Sequence, residues 1–395
     1  MNALLFLRRL VARSGCDAPG SLWILLVFTL ACGAPQTPGK DSTPKTIAPL
    51  DGGKVSTCSG ACATNEQDLE RVVELPISFV SHGDSFRGTL RRSEGRDPQR
   101  LQPGVLILAD LGILDERGLT AGGYGFRFGA EMPVYQILAE VLAQSDMAVL
   151  SYDKRNCVVG QGPGCRYSTD HLRHETLLPD LLIDDAQQAL LALANVEGVD
   201  RDRIFVLGHG RGADLALNLL DRSREINFGG LILISPVAVA PHQQNLEETR
   251  HAIHRLEAAA KDSGDGSMAD LMRIRAQELR KEEERQILLD AILRAPDDDS
   301  QELSPEELGI WRALRKQHLN AQEQLRKTGS PVLFVLGNQP EELRTPDLRW
   351  LDRIEGHKGR SRVIVSEMSS AIVSLDPKQP AIPEGLISAI ANFVF

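Results

Sequence analysis

Two short runs of alternating apolar and polar residues, Val72 to Val80 and Ser85 to Arg91, flank Ser81-His82-Gly83-Asp84. Period-two alternation around a glycine-bearing turn predicts a β-hairpin. Beyond it the pattern changes. Val105 to Leu108, Ala148 to Tyr152, Ile204 to Leu207 and Leu231 to Ile234 are short, almost wholly apolar runs, as expected of buried parallel strands. Between them, Val134, Ile137, Leu138, Val141 and Leu142 recur at helical spacing within Pro133 to Gln144. Leu181 to Ala194 and Gly212 to Leu220 carry two more helices. This alternation from Gly104 to Ser235 predicts an α/β fold: a mostly parallel, doubly wound sheet with helices on both faces and an N-terminal β-hairpin.

From about Gln243 to Arg326 β-branched runs vanish, charges are dense, and apolar residues recur every three or four positions, as in Leu271, Ile274, Leu279, Ile287, Leu288 and Ile292. This predicts a helical insertion, interrupted at Pro296-Asp297-Asp298-Asp299. Apolar runs then resume at Val332 to Leu336, Leu348 to Ile354, Val363 to Val365 and Leu386 to Val394. The insertion therefore lies inside the chain order of the sheet, where a cap over the strand ends is expected. The expected division is a core of residues 71–242 and 327–395, with a cap of residues 243–326.

Arg8, Arg9 and Arg13 precede an apolar run from Leu22 to Ala31, the layout of a signal peptide over residues 1–31. Such a run is too short to cross a bilayer core of about 30 Å as a helix. Phe28-Thr29-Leu30-Ala31-Cys32 resembles a bacterial lipobox, with Thr29 where leucine is commonest. It predicts that Cys32 is lipidated, so that the chain is exported and anchored to a membrane of the bacterial cell envelope, at the outer membrane or periplasmic side. Gly33 to about Asn65 is rich in Pro, Gly, Ser, Thr and Lys, so residues 32–70 read as a lipidated terminus and flexible tether.

Net charge sharpens the choice of partner. The formal value is −10 over 395 residues, which argues against nucleic acid. Cysteine usage suits export: with Cys16 removed and Cys32 acylated, four remain. Cys157 and Cys165 flank a glycine-rich loop, and Cys58 and Cys62 sit among small residues; both pairs are candidate local disulfides. There is no HExxH and no cluster at metal spacing, so no metal site or cofactor is expected. Gly122-Gly123-Tyr124-Gly125 fits no phosphate-binding pattern and reads as a loop.

Three segments in order carry a resemblance. Ser151-Tyr152-Asp153-Lys154-Arg155 matches a strand end and "DKRG" turn, with Asn156 for the glycine. Asp200 to His209 matches the approach to a nucleophile elbow, and Ser330 to Gly337 the strand before a catalytic acid. From Arg71 to Phe395 the chain resembles the α/β-hydrolase family, in particular secreted bacterial esterase-like members with a helical cap. The resemblance implies a Ser–acid–His triad, and each position is changed. The elbow G-x-S-x-G reads Gly208-His209-Gly210-Arg211-Gly212: both flanking glycines stand, and the nucleophile position is Gly210. Glycine reaches positive φ freely, which removes strain of about 1–3 kcal/mol stored at such a turn, together with the hydroxyl. The acid's G-x-x-D reads Gly337-Asn338-Gln339-Pro340, and Ala371 falls nearest the histidine position; His357 is the last histidine. The oxyanion segment, "HG" in the family, reads Ala109-Asp110-Leu111-Gly112, and a carboxylate at Asp110 would oppose an oxyanion. His209 is expected to pack and support the loop, His171 and His174 to lie on the surface, and Asp153 and Arg155 to form an ion pair at the turn.

These changes predict a catalytically inactive member that binds a small molecule or a protein beneath its cap. The alternative is a divergent esterase with a displaced constellation, drawn from Ser235, Ser369 or Ser370 with Glu341 or Glu342. A third expectation makes the charged insertion itself the contact surface.

Overall fold

The computed structural model describes residues 71–94, 100–110, 115–119, 133–155, 157–159, 165–166, 179–223, 225–295, 304–337, 361–366 and 382–395. All of them belong to the second of two units, residues 70–395. Cys32, Cys58, Cys62, His171, His174, Glu341, Glu342, Pro340, Ser369, Ser370, Ala371 and the Leu348–Ile354 run lie outside the described residues.

Eight strands form one sheet in the order β1-β2-β4-β3-β7-β8-β9-β10. β1 (Val72–Ser81) and β2 (Asp84–Ser93) are the expected hairpin, turned at His82 and Gly83 with φ of 51° and 81°. β1 alternates in burial, as the alternating sequence requires of a strand with one covered face. β2 pairs antiparallel with β4 (Ala148–Tyr152), and the rest is parallel: β3 (Gln102–Leu108), β7 (Val199–His209), β8 (Phe228–Ile234), β9 (Val332–Gly337) and β10 (Ser361–Ser366). A separate two-stranded ribbon joins β5 (Val158–Val159) to β6 (Cys165–Arg166). Every residue of β3, β4 and β9 is buried, which is why those runs are continuously apolar.

Successive residues of β3 point into two different cores. Leu106 and Leu108 pack with Leu190 of α2 (Pro179–Ala194) and Leu217 of α3 (Gly212–Arg222). Val105 and Ile107 pack with Leu138 of α1 (Val134–Gln144) and with Leu386 and Ile390 of α7 (Glu384–Val394). The sheet is thus covered on both faces, as the alternation of runs predicts.

The insertion folds as three helices: α4 (Pro241–Asp262), α5 (Gly266–Arg294) and α6 (Pro305–Lys327). Asp265 caps α5 by accepting from the Ser267 and Met268 amides, and Ser304 caps α6 through the Glu307 amide. Leu289, Ile292 and Leu293 of α5 meet Leu308 and Trp311 of α6 in a small core of their own. α6 also reaches the main core, because Ala321 and Leu325 pack with α3 and the sheet.

One expectation about the 153–155 turn is corrected. Asp153 does not pair with Arg155. Its carboxylate accepts from Arg87 at 2.9 Å and from the Glu116 amide at 2.9 Å. Arg155 turns to Asp185 and Asp84, and its guanidinium lies over Phe86. Both side chains are buried and need satisfied charge, and the partners within reach come from β2, from α2 and from the 115–119 segment.

Candidate functional site

β7 ends at His209, the chain reverses at Gly210, and α3 starts at Gly212. This is the sharp strand-to-helix turn that the spacing of glycines predicts. Gly210 has φ of +55°, in the left-handed region, and its amide donates to the Ile234 carbonyl at 2.9 Å. A Cβ on Gly212 would lie 2.1 Å from the Leu108 carbonyl oxygen. Close passage of α3 over β3 therefore requires glycine there.

The space beside Gly210 is occupied. A Cβ built on Gly210 would lie 2.3 Å from Cγ of Asp110 and 2.4 Å from its Oδ1. The Asp110 carboxylate thus lies where a residue at the turn would project its side chain. It also accepts the Arg211 amide at 2.7 Å, at the N-cap of α3. A carboxylate is favoured there by the hydrogen bond and by the positive end of the helix dipole.

Asp110 is held by its backbone as well. Its amide donates to the Tyr135 hydroxyl at 2.9 Å, and its carbonyl accepts from Lys154 Nζ at 2.6 Å. The same Tyr135 hydroxyl lies within hydrogen-bond distance of Nδ1 of His209, 2.8 Å away. The His209 ring meets Tyr135 edge-on at 5.8 Å. Burial pushes the Tyr135 hydroxyl well above the usual phenol range, with the Asp110 charge adding to it. Burial also lowers the Lys154 amine to about 8, against an opposing pull from Asp110. His209 thus supports the turn through Tyr135.

Arg211 faces the other way, into the cap. It is 5% exposed. Nε donates to Gln244 Oε1 of α4 at 2.9 Å, and Nη1 donates to Asp214 at 3.1 Å. Asp214 also accepts from Nδ1 of His318, on α6, at 3.0 Å. Asn218 adds a bond to the Gln317 carbonyl at 3.0 Å. The residue after the turn thus ties α3 to two cap helices. Sequence reasoning missed this group: Arg211 and Asp214 show helical spacing, but nothing local marks His318 as their partner.

Ser235, a candidate displaced nucleophile, follows β8 with φ of +44°, a strained state for a residue with a side chain. Its hydroxyl is buried and, among the described residues, has no hydrogen-bond partner. Among the described residues no group of three or more His, Cys, Asp or Glu is placed to hold a metal ion.

Sheet order, the glycine turn between β7 and α3, and a cap inserted after β8 together specify one architecture. A family model for serine aminopeptidases of the S33 type matches residues 127–301, from ahead of α1 through the turn into the cap. The chain resembles the α/β-hydrolase superfamily. Its fold is the α/β-hydrolase fold, with Gly208 to Gly212 at the turn from β7 into α3. Similar solved structures include an esterase of Pyrococcus furiosus, 13% identical, covering 85% of this chain and 95% of that one, with a TM-score of 0.45. A second is an esterase of Rhizomucor miehei, 14% identical, with 82% and 84% covered and a TM-score of 0.43. A third is Est1E of Butyrivibrio proteoclasticus, 13% identical, with 81% and 95% covered and a TM-score of 0.43. No curated protein matches the chain.

Proposed function

We propose that this α/β-hydrolase domain works by binding a protein partner and performs no hydrolysis at its elbow. The observation that carries this reading is the Asp110 carboxylate. It lies where a nucleophile's side chain would project and takes the Arg211 amide. In an α/β-hydrolase that amide stabilises the developing oxyanion. A negative charge seated there opposes the transition state, whatever residue attacks. With the elbow filled from within, a protein contact on the outer surface fits better than a small molecule beneath the cap.

The domain acts, in this reading, at the bacterial cell envelope, anchored through a lipid on Cys32. The lipobox-like segment and the tether composition support this. Replacing Cys32 with serine is expected to abolish incorporation of labelled palmitate and release the protein from the membrane fraction; retained labelling would remove the anchor from the proposal. A Cys157–Cys165 disulfide is part of the same reading. It is supported by the antiparallel pairing of β5 with β6, which folds the chain back between the two cysteines, and by Cys157 being disulfide-bonded.

A second reading, a divergent esterase using Ser235, is favoured by the strained backbone at that residue. Among the described residues its hydroxyl meets no base of the kind such a nucleophile needs. A fluorophosphonate probe separates the two. No labelling of the mature protein is expected; labelling abolished by Ser235→Ala would establish the second reading in place of the first.

A further inference from the structure

The cap contains a histidine whose surroundings suit one protonation state. His242, at the start of α4, is 1% exposed. Nε2 lies 3.0 Å from Oδ1 of Asp290 on α5. A carboxylate only accepts, so Nε2 carries the hydrogen. Nδ1 is buried and, among the described residues, has no hydrogen-bond partner. A bare ring nitrogen tolerates this. An added N–H would be a buried donor with no acceptor, which is far more costly.

The neighbouring charges do not rescue the proton. Asp290, the one anion in contact among the described residues, already has its other oxygen on Arg294 at 2.8 Å, and Gln243 also approaches Oδ1 at 3.4 Å. Arg315 of α6 and Arg211 of the elbow add positive charge around the ring. Burial is the largest influence and holds the imidazole below its ordinary 6.5, with Asp290 pulling upward and the two arginines downward. His242 also stands in the first turn of α4, where the helix dipole disfavours a cation.

We infer that His242 is an acid-operated latch between α4 and α5. Above the ordinary histidine range, the neutral ring joins the two helices through Asp290. Below it, a proton is accepted more readily once the helices part and Nδ1 meets water, so acid favours an opened cap. The sign follows from linkage. The opened state binds a proton near pH 6.5, before the closed state does. The closed form is therefore fully favoured above that value. Its advantage falls by up to about tenfold per pH unit below it, and stops falling once the closed state also protonates. This goes beyond the binding reading and does not depend on it. It would make the cap surface, and whatever it contacts, responsive to acid.

Hydrogen exchange on the full chain between about pH 7.5 and 5, corrected for intrinsic rates, tests the latch. The opening constant of α4 and α5 amides should rise up to about tenfold per unit below pH 6.5, while β7 and β8 amides hold steady. His242→Gln retains an amide donor for Asp290 and does not titrate, so its cap should show a flat profile. A flat wild-type profile, or an unchanged slope in H242Q, overturns the proposal. Should H242Q fail to fold, the wild-type ring titration by NMR decides: a value below 6.5 supports the latch, and one at or above 6.5 overturns it.

Discussion

Gly210 and Asp110 compete for one volume. Because a Cβ on Gly210 would lie 2.3 Å from Asp110 Cγ, restoring the serine alone forces the carboxylate out of its hydrogen bond. Gly210→Ser should cost about 1–3 kcal/mol of stability from strain and overpacking. Combined with Asp110→Ala, part of that loss should return, a coupling that urea unfolding of the double-mutant cycle would measure. Purely additive effects would mean that the two side chains do not share the space. Lys154 offers a pH test. Its amine is held at about 8, below the ordinary 10.5, so the unfolded chain binds more protons between those values. Its contribution to stability should rise with pH across that window, by at most about 1.4 kcal/mol per unit. Comparison of the wild type with Lys154→Met isolates it, and parallel pH profiles would contradict it.

At the scale of elements, the elbow helix has become a mooring for the cap. Arg211 binds α4 through Gln244 and meets Asp214, which in turn holds His318 of α6. Removing one member leaves charge buried without its partner. Arg211→Met is therefore expected to cost about 3–5 kcal/mol, seen as a lowered urea midpoint. A change under about 1 kcal/mol would mark the pair as exposed and weak. The helices themselves were legible in the sequence. Pro241 and Pro305 stand in the first turns of α4 and α6, Ser304 and Asp265 cap, and Arg326 and Lys327 close α6. Their docking was not, because nothing local separates the polar residues that turn inward, Gln244, Gln317 and His318, from those that face solvent.

For the whole molecule, the cap is less separable than a composition change at Gln243 suggests. Ala321 and Leu325 lie in the main core beside the sheet. Deletion of residues 243–326, attractive as a test of partner contact, should strip that face and leave the core aggregated or unfolded, as circular dichroism and size exclusion would show. A folded, monomeric remainder would return the cap to the status of a detachable module. Point changes on the outer face of α5, at the exposed Leu271 or Ile274, are the better probe of partner binding.

Local pattern alone determined the order of strands and helices, the two-sided burial of the sheet, the insertion after β8 and the glycine at the turn. Each follows from periodicity, turn chemistry or a short motif, all encoded within a few residues. Only the tertiary structure decided what fills the elbow. Asp110 and Arg211 are separated by 101 positions, and Asp214 and His318 by 104. No local spacing records such pairings. They arise when β3 and β7 lie side by side and α6 folds back over α3, bringing a carboxylate to the helix mouth beside Gly210.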